Sequence, residues 1–127
     1  MMVGNFELHK GATRFVFLLR RVAVKIPCFY SWEIFLNGVL ANIQERRFWR
    51  EMKHPMLARV IYGDPLGLCV VMERADETFS DAGVPINDRR VLNLFFARCV
   101  KACLPVDKHF SNVGRFGNKL KLIDYGD

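Results

Sequence analysis

The deciding stretch is Asp107-Lys108-His109-Phe110-Ser111-Asn112, then Val113-Gly114-Arg115-Phe116-Gly117-Asn118, then Lys119-Leu120-Lys121-Leu122-Ile123-Asp124-Tyr125-Gly126. Asn112 stands five residues after Asp107 and twelve before Asp124. The run 119–123 follows a turn at Arg115-Phe116-Gly117-Asn118, so it reads as a short strand that delivers Asp124 to its end. Two carboxylates and a carboxamide then lie on neighbouring loops. Such a set can hold magnesium beside a transferring phosphoryl group. Acidic residues near Gly and Asn are also ordinary turn chemistry, so the reading depends on what precedes them.

Upstream, Phe15-Val16-Phe17-Leu18-Leu19, a basic turn at Arg20-Arg21, and Val22-Ala23-Val24-Lys25-Ile26-Pro27 read as a β-hairpin with β-branched and aromatic arms. Lys25 interrupts an apolar strand. It either snorkels to solvent or faces a cleft where an anion compensates it. A helix is expected over residues 31–52. Ser31 is its N-cap, and Trp32, Phe35, Leu36, Val39, Leu40, Ile43, Phe48 and Met52 recur at helical steps. It stops before His54-Pro55, since proline disfavours helix at the preceding residue. Glu45 lies on this helix beside Arg46 and Arg47. A second hairpin is expected from residues 57–62 and 66–73 around Gly63-Asp64-Pro65. A second helix is expected over 87–102, with Val91, Leu94, Phe95, Arg98 and Ala102 on one face.

Taken in order, Lys25, Glu45, His54-Pro55, Met72-Glu73, Asp107, Asn112 and Asp124-Tyr125-Gly126 resemble the protein-kinase-like fold across nearly the whole chain. Val22-Ala23-Val24-Lys25 is similar to the strand whose lysine pairs with ATP phosphates. Glu45 matches the glutamate that orients it. Val71-Met72-Glu73-Arg74-Ala75 looks like the fifth kinase strand entering the hinge. The resemblance implies an α+β, protein-kinase-like fold: a five-stranded small lobe with one long helix, and a minimal lower lobe of one main helix with the catalytic and metal loops. The small lobe and hinge would be residues 1–75 and the lower lobe 76–127, as one truncated domain. It implies ATP and Mg²⁺ as cofactors. Gly11, Val16, Ala23, Lys25, Met72, Glu73 and Ala75 would bind the nucleotide, with Met72 as gatekeeper and the 73–75 backbone at the adenine edge. Asp107 would be the base, Lys25 and Glu45 would position phosphates, and Asn112 and Asp124 would bind the metal.

Several positions depart from that pattern. Only Gly11 remains of the glycine-rich loop, in Lys10-Gly11-Ala12-Thr13-Arg14-Phe15-Val16-Phe17, which is similar to loops of compact, atypical kinase-like proteins of bacteria and their phages. Pro105-Val106 precede Asp107 where kinases carry His-Arg, so no arginine is offered there to a phosphorylated activation loop. His109 replaces the usual lysine, which puts protein-substrate specificity in doubt. The sequence ends one residue after Asp-Tyr-Gly, and the expectation is a half-length kinase fold without activation segment or substrate lobe.

Composition fits one soluble domain: 127 residues with 51% apolar residues can bury a single core. No apolar run approaches the roughly 20 residues of a membrane span. Met1-Met2-Val3-Gly4-Asn5 lacks the pattern of a signal peptide. Cys28, Cys69, Cys99 and Cys103 show no zinc spacing, and core packing is the expected role of the Cys99/Cys103 pair. A cytoplasmic location follows, the host cytoplasm if the chain is phage-encoded. The net charge of +6 favours a cleft for a polyanionic nucleotide over a nucleic-acid surface at Arg46, Arg47, Trp49 and Arg50. Two functions stand: an ATP-dependent, protein-kinase-like phosphotransferase whose acceptor the sequence does not name, or a pseudokinase-like module that binds a partner, such as a phage effector on a host protein, without transfer. Adjacent Phe95 and Phe96 predict an exposed aromatic face and docking to a second copy or another protein.

Overall fold

The computed structural model describes residues 7–80 and 84–126. The segment 1–5, read above for a targeting signal, lies outside them. The described residues form an α+β structure with a five-stranded antiparallel sheet, a small three-stranded sheet and two helices. The strands are β1 (Glu7–Lys10), β2 (Arg14–Leu18), β3 (Val22–Pro27), β4 (Val60–Gly63), β5 (Val70–Glu73), β6 (Glu77–Thr78), β7 (Val113–Phe116) and β8 (Lys119–Leu122). The helices are α1 (Trp32–Met52) and α2 (Ile86–Lys101), and a single 3-10 turn covers Phe110–Asn112. The larger sheet has the order β1-β2-β3-β5-β4 and the smaller β6-β7-β8.

Both expected hairpins form. In the first, Val16 pairs with Lys25 and Leu18 with Ala23. In the second, Val60 pairs with Met72 and Gly63 with Val70 across a bulge. β5 is shorter than expected because 64–69 is spent on a turn, where Asp64 accepts from the Leu68 and Gly67 amides, and β4 begins only at Val60 because Leu57 and Ala58 pair with Leu122 instead. Near the C-terminus, β7 runs through Phe116, so the turn is only Gly117-Asn118, with Gly117 at φ 66°. The expected four-residue turn was too long by two. The strand β6 had no counterpart in the sequence reading; two residues pairing with β7 leave no periodicity to find.

α1 begins where expected: the Ser31 hydroxyl accepts from the Ile34 amide at 3.1 Å. It ends at a left-handed Lys53, whose amide returns to the Trp49 carbonyl. The face it buries differs from the expected one. Gly38, Ala41, Asn42 and Glu45 are buried, whereas Trp32, Leu36, Leu40 and Met52 of the apolar stripe are exposed. Close approach explains the choice. A Cβ at Gly38 would lie 2.5 Å from the Thr13 carbonyl oxygen and 2.8 Å from the Pro27 side chain. Only small residues let α1 reach β3, and the buried polar pair then serves as its anchor. Outside, Trp32 and Phe29 stack on Phe35 with ring centroids 5.6 and 5.4 Å apart.

α2 is also out of phase with the expected face. Leu92, Phe95, Phe96 and Cys99 are buried and Val91 and Leu94 are exposed. Phe95 and Phe96 are therefore both accommodated, at 6% and 3% exposure. Phe96 lies flat against Phe110, centroids 6.1 Å apart. The aromatic overhang inferred from their adjacency does not exist. One core runs through Leu57, Val70, Met72, Leu92, Phe95, Val113, Leu122 and Tyr125, joining α2 and the small sheet to the large one. The seam is hydrogen-bonded as well: the Leu122 amide donates to Met56 and the Leu122 carbonyl accepts from Ala58. Among the described residues, no helix is long and apolar enough to cross a membrane. All four cysteines are free thiols. Cys99 is buried and Cys103 exposed beyond the helix, so the core packing expected of the pair holds for Cys99 alone.

Candidate functional site

Lys25 does not snorkel outward. It points from β3 beneath the sheet and is 4% exposed. Its ammonium donates to both Glu45 carboxylate oxygens, at 2.8 and 3.1 Å, and to the Ile123 carbonyl at 2.6 Å. Glu45 is fully buried and also accepts from the Tyr125 amide at 2.9 Å. One carboxylate thus ties β3 and α1 to the Asp124-Tyr125-Gly126 segment. Further contacts fix that segment and the helix beside it. The Tyr125 hydroxyl donates to the Ala58 carbonyl at 2.8 Å. Asn42 donates to the Lys25 and Gly67 carbonyls, holding α1 in register. Gly126 lies against α1, where any Cβ would collide with the Ala41 carbonyl oxygen and the Glu45 side chain.

A buried carboxylate is costly unless paired. Burial alone would raise the pKa of Glu45. The charges of Lys25 and Arg14, with their hydrogen bonds, outweigh it and bring the value down from 4.5 to about 2. Burial, with the Glu45 and Glu73 charges, pushes the Tyr125 phenol well above its ordinary range, so it stays a neutral donor.

Arg14 is the residue that sequence reasoning missed. It is 4% exposed. Its guanidinium donates to Glu45 at 2.6 Å, to Asn42 Oδ1 at 3.0 Å and to Asp124 Oδ1 at 2.7 Å. A signal existed: an arginine opening the strand Arg14-Phe15-Val16-Phe17-Leu18, directly opposite Pro27 at the end of the Lys25 strand. Lys25, with the same pattern, was singled out because its flanking residues match a known string.

Two cavities meet at Asp124. The larger, about 550 Å³, lies between the sheet and the small lower sheet. Val16, Ala23, Lys25, Met72, Glu73, Ala75 and Asp124 line it, so the structure brings together nearly all the residues expected around a nucleotide. Phe79 and Ser111 add to the wall. Gly11 is the exception. It sits in the β1–β2 turn, with its amide on the Arg14 carbonyl at 2.8 Å, and does not line the cleft. The wall above the cleft is made instead by Glu7, His9, Val16 and Leu18 of β1 and β2. Glu73 Oε2 is held by the Arg59 amide at 2.6 Å and the Lys121 ammonium at 2.9 Å.

The smaller cavity, about 200 Å³, is lined by Pro105, Val106, Asp107, Asn112, Asp124 and Tyr125. The residues expected for base and metal therefore share one hollow. Asp107 is largely exposed, with His109 3.4 Å from its carboxylate. The Asn112 amide nitrogen donates to the Asp107 carbonyl at 3.0 Å, which leaves its oxygen as the atom with ligand chemistry. A carboxamide oxygen and the Asp124 carboxylate are the donors a hard divalent cation takes. The set fits Mg²⁺, although one Asp124 oxygen already faces Arg14.

No protein-family model matches the chain, and no curated protein matches it.

Proposed function

We propose that the chain is an ATP-dependent phosphotransferase of protein-kinase-like architecture. The observation that carries this reading is Asp124. It lines both the cleft that contains Lys25 and the hollow that contains Asp107 and Asn112. A nucleotide in the larger cavity would have its phosphates directed by Lys25, whose orientation Glu45 fixes. Ala23, Val16 and Met72 supply an apolar bed for a base, and the 73–75 backbone supplies the adenine edge. Asn112 and Asp124 would hold Mg²⁺, which neutralises phosphate charge when bound. Asp107, exposed at the outer side of its hollow, would accept the proton of an incoming hydroxyl. Positioning and charge complementarity are all this chemistry asks of a protein.

The test is transfer of phosphate from Mg·ATP to the protein itself or to proteins of a lysate. Asp107→Asn should abolish transfer and leave nucleotide affinity nearly unchanged. Asp124→Asn should lose both. The second reading is a module of the same architecture that binds a protein partner without transfer. The Arg14–Asp124 ion pair favours it, because Arg14 occupies an oxygen that a metal would use. Absence of transfer from wild type, with nucleotide binding intact, would put that reading first.

A further inference from the structure

The geometry points to Arg14 as an internal counter-ion of Asp124 that keeps a free divalent cation out, so that metal enters only together with a nucleotide. The inference rests on the metal role proposed for Asp124.

Arg14, Lys25, Glu45 and Asp124 form one linked cluster. Among the described residues two cations face two carboxylates, so these four side chains are neutral together. Without Arg14 the cluster would carry one negative charge, on Asp124, as a cation site does. Arg14 removes that charge and takes one carboxylate oxygen at 2.7 Å. The backbone that carries Asp124 does not depend on it. The residues on either side are held independently, Ile123 by Lys25 at 2.6 Å, Tyr125 by Glu45 at 2.9 Å and by Ala58 at 2.8 Å. Nor is it the sole partner of Glu45, which keeps Lys25 and the Tyr125 amide. The effect of Arg14 on a metal is therefore electrostatic: a fixed, buried positive charge beside a ligand that is itself partly exposed. A nucleotide changes the balance. Its phosphates bring several negative charges into the cleft that Lys25 lines, offsetting the charge of the buried Arg14 and offering the metal additional oxygens.

The experiment uses Mn²⁺ as the metal, titrated into the full chain without nucleotide and then with ATP, and followed by the paramagnetic signal of free Mn²⁺. Wild type should bind Mn²⁺ alone weakly and bind it much more tightly with ATP. Arg14→Met should bind Mn²⁺ alone at least about tenfold more tightly than wild type, because one full charge is removed within a few ångströms of the ligand. Arg14→Gln, which retains a donor toward Glu45, is the second variant should the first melt too early to titrate. Asp124→Asn should abolish nucleotide-linked Mn²⁺ binding. If wild type binds Mn²⁺ with ATP through Asp124 but both Arg14 variants bind Mn²⁺ alone no better than wild type, the counter-ion role is wrong and the metal site stands. If Mn²⁺ binding is insensitive to Asp124→Asn throughout, the metal role of Asp124 fails and this inference with it.

Discussion

Glu45 joins three parts of the structure: it receives Lys25, Arg14 and the Tyr125 amide. Removing one partner from a buried ion cluster typically costs about 3–5 kcal/mol, and Glu45→Gln should destabilise the fold by that order at neutral pH. The pH dependence has a definite sign. The folded pKa lies at about 2, below the ordinary 4.5. The carboxylate's contribution is thus complete above 4.5 and is lost as pH falls toward 2. The melting-temperature gap between wild type and Glu45→Gln should be constant from neutral pH down to about 5 and should close below it. Parallel melting curves through that acid range would mean that Glu45 is not held ionised by its neighbours. Lys25, Glu45, Asp107, Asn112 and Asp124 could be named from order and spacing because each matches a known string. Arg14 could not. A buried arginine is recognised by its partners, and these lie 28, 31 and 110 residues away.

The two helices show which part of an element is readable. Their ends were legible: Ser31 caps α1, and α2 begins at Ile86, one residue before its expected start. Their buried faces were not. In α1 the apolar residues give a clean helical period, yet the side against the sheet is the small and polar one, because close approach at Gly38 matters more than area there. In α2 the sequence admits two apolar stripes one residue apart, and packing against Phe110 selects Leu92, Phe95, Phe96 and Cys99. This changes what a substitution on α2 should do. Phe96→Ala should cost about 3–5 kcal/mol as a core truncation, and Phe96→Asp should prevent folding rather than release a dimer. Circular dichroism melting decides it: a folded, near-wild-type melt for Phe96→Asp would show that the side chain faces solvent. A Leu94→Asp control, on the exposed face, should change stability by less than about 0.5 kcal/mol.

Across the whole molecule, the polar cluster under β3 and the seam between Leu122 and residues 56–58 hold the two parts around the cleft as one body. Strand pairing and element order were legible because hairpins and helix caps are local signals; the placement of the lower sheet rests on long-range contacts that leave no local pattern. The cleft is the feature from which the proposed chemistry follows, and nucleotide binding is its first requirement. A ligand at about 100 times its dissociation constant stabilises the folded state by roughly 2.7 kcal/mol. The deciding measurement is the melting temperature of wild type and Lys25→Ala, each against its own ligand-free value, in Mg²⁺ alone, in ATP with chelator, and in Mg²⁺ with ATP. Wild type should shift upward only with Mg²⁺ and ATP together, and Lys25→Ala should lose most of that shift. A wild-type protein that shows no shift at millimolar Mg·ATP would contradict the nucleotide cleft and the phosphotransferase reading built on it.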